Sequence, residues 1–190
     1  MRDKFITNIE NNAMAIAKKW ARFVSTSDYT RTYRKLSEDE LMKMGKVSYQ
    51  NLGRFLDPQT SKTEIGKFYT DLGSKRYAQG YPLCEIQYAL HFTKRVLLNY
   101  ISSEGLLPDT LSLYQANAFI VEIYDFFDLA GFYITRGFQE ALYKKILSVK
   151  GLDKEAINLV FPSGSFYYEQ EADFKMFEKA MEGFNLFKVK

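Results

Sequence analysis

The chain has 190 residues, which is enough for one domain with a full hydrophobic core and a small appendage. Its 26 Lys and Arg nearly balance 23 Asp and Glu. The resulting net charge of +3, without a dense basic block, argues against nucleic acid as a partner. A single cysteine excludes an internal disulfide framework, and the N-terminus lacks the apolar core of a signal peptide, so we expect a cytoplasmic protein.

Amphipathic helices are predicted along the first third of the chain. Apolar residues recur every three or four positions over 3–25, which predicts a first helix, and 29–36 is a polar connection rich in Arg and Tyr. Ser37 and Glu40 have the spacing of a capping box, so a second helix begins there. That helix should end at 57–58, because the residue before a proline avoids the helical conformation.

Two further helices are predicted before residue 105. Ser61 and Glu64 repeat the capping-box spacing and begin the third helix, and Gly80 stands where a left-handed terminal residue is needed. Pro82 is placed for the first turn of the fourth helix, which should end at Gly105.

The longest predicted helix covers 109–149 and is the spine of the expected fold. Between 118 and 134 its only charges are Glu122, Asp125 and Asp128, which share one solvated stripe about 120° wide. The rest of its surface is apolar, so other helices, a second copy of the chain, or both must cover it. The acidic stripe and the short apolar length exclude a membrane span, which needs about 20 mostly apolar residues.

Bulky residues in this predicted helix repeat every seven positions, beside small ones. Such a repeat is typical of a helix–helix seam, and Gly131 also allows a bend. Two interpretations remain open, a buried core helix and a subunit interface, and both can hold at different positions along the helix. The residues expected to provide packing and subunit contact are Phe119, Phe126, Phe127, Tyr133, Ile134 and Gly137.

The hydrophobic pattern of the sequence changes after residue 150. We therefore expect a helical domain over 1–150 and a C-terminal extension over 151–190, with a short helix near 152–159 and an amphipathic helix over 171–184.

No catalytic apparatus is recognisable in the sequence. One histidine cannot supply the two Glu-x-x-His motifs of a ferritin-type di-iron site, and Cys84 with His91 lacks further zinc ligands at suitable spacing. The glycine motifs of phosphate loops, dinucleotide-binding folds and hydrolases are absent. We therefore expect no enzyme activity, no metal and no cofactor.

His91 and Cys84 each leave an alternative open. A helical domain of this size can hold haem through one axial histidine, but His91 falls among polar residues on the helical wheel, which favours a surface position. Cys84 lies in the first turn of the fourth helix, where a redox sensor is the less favoured interpretation and a buried or neutral thiol the default.

The third and fourth predicted helices resemble a known family. The stretch SKRYAQGYPLCEIQYALHFTKRVLLNYI, residues 74–101, resembles the N-terminal sensor domain of the RsbT co-antagonist family, the RsbR-type stressosome proteins. The similar features are Arg76 shortly before Gly80, then an acidic–apolar–x–x–Ala–Leu pattern at 85–90, and a basic residue about one turn later, Arg95.

The resemblance covers roughly residues 5–145 and implies a globin-like helical bundle that binds no haem. It further implies a homodimer formed through the helices and a signal passed along the last long helix to a downstream protein. Family members often continue into an output domain, whereas 151–190 takes that place here.

The sequence thus predicts a non-enzymatic bacterial sensory or signalling domain that responds to a ligand or partner through a shift of helices at a homodimer seam. Arg76 is expected to tie the third helix to the fourth. The alternatives are a haem-binding gas or redox sensor that uses His91, and an adaptor whose aromatic C-terminal segment docks on a partner.

Overall fold

A computed structural model of the chain describes residues 2–57, 59–103 and 110–149, together with 151, 153, 155, 157 and 159. Within these residues the regular structure is entirely helical, which confirms the predicted all-α class. The helices are α1 (Arg2–Asn11), α2 (Ala13–Thr26), α3 (Glu38–Gln50), α4 (Leu52–Leu56), α5 (Lys62–Ala78), α6 (Leu83–Ser103) and α7 (Thr110–Leu147). A 3₁₀ helix, Arg31–Lys35, lies in the predicted connection between α2 and α3.

Two asparagines divide helices that the sequence predicts as continuous. Asn12 separates α1 from α2, and Asn51 separates α3 from α4; both residues have ψ 11°. In each case the side-chain amide donates to the carbonyl four residues earlier, Asn8 or Val47, at 2.8 Å. Asparagine side chains compete in this way with the backbone ladder, so the chain changes direction at both positions.

The two predicted capping boxes differ in the structure. Ser37 and Glu40 form the complete box, because the Glu40 N–H donates to Ser37 Oγ at 3.3 Å and the Ser37 N–H donates to the Glu40 carboxylate at 2.8 Å. Ser61 instead accepts from the N–H of Thr63 at 3.1 Å, and the Glu64 carboxylate pairs with the arginine of α4. The Arg54 guanidinium, a charged donor, therefore holds the Glu64 carboxylate away from the helix start.

The longest helix, α7, lies against α5 over most of its middle. Helix α2 packs on α3, and α6 contacts α2, α3 and α7. Helices α1 and α4 cover the first half of α7, where Phe5 stacks on Phe119 with ring centroids 5.3 Å apart and Phe55 stacks on Phe126 at 5.7 Å. One aromatic-rich core thus joins all the helices.

The acidic stripe of α7 faces solvent. Glu122, Asp125 and Asp128 are all exposed. Two of them pair with other helices, Glu122 with Arg2 at 2.8 Å and Asp128 with Lys94 at 2.9 Å. The other sides of α7 between 116 and 137 are largely covered by the chain itself.

Two glycines bring the backbones of α5 and α7 into contact. A Cβ on Gly73 would collide with the carbonyl oxygen of Ile134, and a Cβ on Gly137 would collide with that of Thr70. The hydroxyl of Ser74 donates to the Gly137 carbonyl at 2.9 Å across the same crossing. Because the atoms in contact belong to the backbone, α5 and α7 form one rigid pair.

The extension after α7 lies mostly outside the described residues. The chain turns at Gly151, which has φ +93°, and Ile157 is buried at 5% exposure. The predicted helix at 152–159 is described only at alternate positions, and the one at 171–184 is not described. No helix in the described part of the chain is long and apolar enough to cross a membrane.

Candidate functional site

A cavity of about 510 Å³ lies between α3, α5 and α6. It forms where α3 and α5, which make little direct contact, diverge on either side of α6. Its apolar lining consists of Trp20, Met44, Val47, Phe68, Tyr69, Leu72, Ile86, Ala89, Leu90 and Ile134. Its polar lining consists of Lys43, Ser48, Asp71, Lys75, Arg76 and Thr93.

Trp20 forms part of the cavity wall and is held in place from two sides. Its indole N–H donates to the carbonyl of Ala89 at 3.0 Å, which links α2 to α6. Gly45 of α3 admits the ring, because a Cβ there would lie only 2.7 Å from Trp20 Cε3. The indole is 4% exposed, so its environment is set by the protein and by whatever occupies the cavity.

Cations outnumber carboxylates among the lining residues. Lys43 extends from α3, and Lys75 and Arg76 from the last turn of α5, whereas Asp71 is the one carboxylate among the described residues that line the cavity. Charges of one sign beside low-dielectric walls attract ligands of the opposite sign. The cavity therefore combines an apolar interior with charged groups that are mostly cationic.

The deeper polar groups of this region are already paired or neutral. Thr93 Oγ1 donates to the Ala89 carbonyl at 3.0 Å, and the hydroxyl of Tyr49 donates to the Thr93 carbonyl at 3.2 Å. Burial raises the pKa of Tyr49 well above its usual value, and burial also raises that of Tyr69. These phenols stay protonated at neutral pH, so Tyr69 contributes a neutral hydroxyl to the lining.

The six residues predicted for packing and subunit contact lie in the core of a single chain. Phe119, Phe126, Phe127, Tyr133 and Ile134 are between 1% and 5% exposed, and Gly137 is buried against α5. Helices of the same chain cover them, and Ile134 also lines the cavity. A contact between two copies therefore has to use other residues.

Arg76 anchors the turn that joins α5 to α6. Its guanidinium lies 5.1 Å from the centre of the Tyr81 ring and donates to Gln79 Oε1 at 2.7 Å. Tyr81 packs edge-on against Tyr33, with ring centroids 4.9 Å apart, and burial raises the pKa of Tyr81 while Arg76 opposes that shift. Gly80, with φ +77°, has the left-handed conformation that the sequence predicts.

His91 and Cys84 are both exposed. Of the default expected for Cys84, a buried or neutral thiol, the structure therefore contradicts the buried thiol. His91 lies in a second depression of about 480 Å³ between α6 and α7, beside Gln87, Lys94 and Asp128. A haem ligand points into an enclosed apolar pocket, and the apolar cavity is lined without His91. Among the described residues, no three His, Cys, Asp or Glu side chains lie close enough to hold a metal ion.

Lys43 and Lys75 are functional candidates that sequence reasoning missed. Each looks like an ordinary charge on the solvated face of an amphipathic helix, and only the divergence of α3 and α5 places both beside one cavity. The glycine that admits Trp20 is a weak sequence signal, because Gly45 interrupts an otherwise regular helix.

No family model, no curated protein and no solved structure matches this chain. The chemistry of its own cavity and helices is therefore the basis for a functional proposal.

Proposed function

We propose that this chain is a non-enzymatic sensory domain that binds an elongated apolar molecule with an anionic group. The observation that carries the proposal is the cavity between α3, α5 and α6, because its apolar interior adjoins Lys43, Lys75 and Arg76. Its volume of about 510 Å³ lies within the range of small-molecule sites.

The two parts of the cavity would make different contributions. Transfer of a hydrocarbon chain from water to the apolar lining is favourable by roughly 25 cal/mol per Å² and supplies most of the affinity. An anionic head group at the cations adds charge-assisted hydrogen bonds and fixes the orientation. Arg76 holds the turn after α5, so a ligand at this cation would also affect the connection to α6.

The cavity supports a signalling role because its wall includes part of the α5–α7 pair. Tyr69 and Leu72 of α5 and Ile134 of α7 all line it. The backbones of these two helices touch at Gly73 and Gly137, so a ligand that displaces α5 would move α7 with it. Such a ligand changes the population of two arrangements only in proportion to its preference for one of them.

In this proposal the partner is a second copy, in keeping with the resemblance to RsbR-type sensor domains, and the output passes to a downstream signalling protein. The copies would meet on the exposed side of α6 and α7, around the depression lined by Leu90, Lys94 and Phe132. Tyr124, 44% exposed on α7, lies beside this depression, with the Lys94 ammonium 4.5 Å from the centre of its ring. Exposed tyrosines are enriched in protein interfaces.

Intrinsic fluorescence tests the ligand proposal because Trp20 is the only tryptophan and lines the cavity. Decanoate should change the emission of Trp20 and bind about tenfold or more tightly than 1-decanol, since hydrogen bonds to charged groups contribute about 1.5–3 kcal/mol. Decyltrimethylammonium, the cationic probe, should bind most weakly. Absence of an emission change with all three probes would refute the proposal.

Matched variants locate the binding site. Lys43→Gln together with Lys75→Gln should remove most of the preference for decanoate over 1-decanol, and Ala89→Leu should weaken both by filling the cavity. Lys46→Gln is the control, because Lys46 lies on the same helix as Lys43 but does not line the cavity. If Lys46→Gln reduces the preference for decanoate as much as Lys43→Gln with Lys75→Gln does, the ligand binds elsewhere.

Light scattering tests the dimer separately. Tyr124→Asp should convert a dimer to a monomer, whereas Tyr29→Asp, an exposed tyrosine in the loop after α2, should leave the mass unchanged. A monomeric wild-type protein at micromolar concentration would remove the second copy from the proposal and leave the ligand site intact.

A further inference from the structure

Aromatic rings form a continuous surface where α2, the loop after it and α6 meet. Phe23 stacks on Phe92 with ring centroids 5.4 Å apart, Tyr88 meets Phe92 edge-on at 4.9 Å, and Tyr29 lies 4.9 Å from Tyr88. Phe23 is 47% exposed and Tyr29 69% exposed. We call these four residues the α2–α6 surface; its rings hold one another in place and still present apolar area to solvent.

The charges on these two helices are almost all positive. Helix α2 carries Lys18, Lys19 and Arg22 and no carboxylate, and α6 adds Arg95. None of these four cations forms an ion pair with a carboxylate of the described residues.

The other two charges of α6 already have partners. Lys94 pairs with Asp128 at 2.9 Å. Glu85 accepts a hydrogen bond from the N–H of Thr32 at 2.7 Å. The α2–α6 surface therefore suits an acidic segment that also carries aromatic side chains.

The chain itself contains a segment with that chemistry. Residues 166–174 read FYYEQEADF and contain four aromatic residues, the three carboxylates Glu169, Glu171 and Asp173, and no cation. Aromatic residues and carboxylates thus stand opposite aromatic residues and cations, which is the complementarity that selects a docking partner.

The length of chain after α7 allows this segment to reach the surface. Helix α7 runs antiparallel to α6, because Lys94 pairs with Asp128 and Gln87 donates to Thr135 Oγ1 at 2.8 Å. Tyr88 is therefore level with residue 134, and Val149 lies about 22 Å further along α7 at 1.5 Å per residue. Residues 155, 157 and 159 are helical, and the Ile157 N–H donates to the Asp153 carbonyl at 3.2 Å. With 153–159 counted as helical and the remainder as extended, the chain from 149 to 166 can span roughly 45 Å, which still exceeds that distance.

We propose that residues 166–174 dock in cis on the α2–α6 surface. The carboxylates pair with Lys18, Lys19, Arg22 and Arg95, and the segment's aromatic side chains cover Phe23 and Tyr29.

Cys84 reports on this contact in the full chain. It is the only cysteine, it is exposed, and it lies one turn before Tyr88 on the same face of α6. Its alkylation by N-ethylmaleimide should be several-fold faster in the variant Glu169→Gln, Glu171→Gln, Asp173→Asn than in the wild type. The control variant Glu178→Gln, Glu182→Gln removes later carboxylates of the same extension and should react at the wild-type rate.

Charge exchange identifies the docking site. Arg22→Glu with Arg95→Glu should also accelerate alkylation, and adding Glu169→Lys, Glu171→Lys and Asp173→Lys should restore the slow rate. Circular dichroism verifies the helical content of every variant. The proposal is overturned if the alkylation rate is unchanged in the variant Glu169→Gln, Glu171→Gln, Asp173→Asn, or if the exchanged charges do not restore the slow rate. Protection of Cys84 that grows with protein concentration also overturns it, because the segment would then dock on a second copy.

Discussion

The close crossing of α5 and α7 can be tested by adding one methyl group. In Gly137→Ala the new Cβ would collide with the carbonyl oxygen and carbonyl carbon of Thr70, which are backbone atoms and cannot rotate away. To reach an ordinary carbon–oxygen contact of about 3.3 Å, the two helices have to separate by roughly 1.4 Å. The pair would then lose contact along the whole crossing.

The expected free-energy change follows from two opposing effects. Alanine improves helix propensity over glycine by about 1 kcal/mol, whereas overpacking of a buried contact typically costs about 1–3 kcal/mol, and more where the backbone must move. We expect Gly137→Ala to lower the free energy of unfolding by about 2 kcal/mol. Gly131→Ala, on the same helix, meets only Gln87 Oε1 at 3.3 Å and Leu90 Cδ2 at 3.5 Å.

The Gly131 substitution serves as the matched control because both atoms it meets are ends of flexible side chains. It should therefore leave the protein as stable as the wild type or more stable by up to about 1 kcal/mol. Urea unfolding followed by circular dichroism at 222 nm gives both values. If the two substitutions have the same effect, the backbone contact between α5 and α7 is not a determinant of stability and the rigid-pair argument fails. Gly137→Leu and Ile134→Asp should likewise unfold the chain rather than only separate subunits.

Two further predictions concern pH. Burial raises the pKa of Tyr49 in the folded state. The contribution of the neutral Tyr49 phenol to the free energy of unfolding is therefore complete below the unfolded pKa of about 10 and is lost as pH rises towards the folded pKa. Tyr49→Phe should lower the free energy of unfolding by about 1 kcal/mol at pH 7, because the hydrogen bond to Thr93 is lost, and by less above pH 10. Urea midpoints from pH 7 to 11 measure this difference, and Tyr29→Phe is the exposed control. Hydrogen bonds from the Ser37 side chain and backbone lower the pKa of Glu40, so the capping box stabilises α3 above the unfolded value of about 4.3 and loses this effect as pH falls through the folded one. Ser37→Ala should lower the melting temperature at pH 7 more than at pH 3, and an equal loss at both would contradict the role of Glu40.

Helical periodicity predicts which face of a helix is buried but not which element covers it. It places Phe119, Phe126 and Tyr133 on one row of the long helix, and the structure buries all three. It could not assign α5 as the covering helix, because the contact depends on Gly73 and Gly137, and glycines carry no hydropathy signal. Because the sequence does not show that α5 covers these residues, a subunit contact was expected there.

The helix breaks and the cavity were beyond sequence reasoning for a different physical reason. The breaks at Asn12 and Asn51 depend on side-chain hydrogen bonds one turn back, which many helical asparagines do not form. The cavity is a space between helices and has no residues of its own. Trp20 falls on the apolar face of the helix predicted over 3–25, but whether its ring faces a cavity or another side chain depends on the paths of α3 and α5.

The position of the cavity explains how a ligand could change the relation between α6 and α7. On one side α5 and α7 touch through their backbones, and on the other Trp20 fastens α2 to α6. The polar links between these two groups include the bonds from Gln87 to α7 and the Lys94–Asp128 pair. In the proposed mechanism, an apolar ligand between α3 and α5 would act on the seam that these bonds close. Because the bonds lie beside the depression where a second copy is proposed to pack, a change in the angle of the seam would alter that surface.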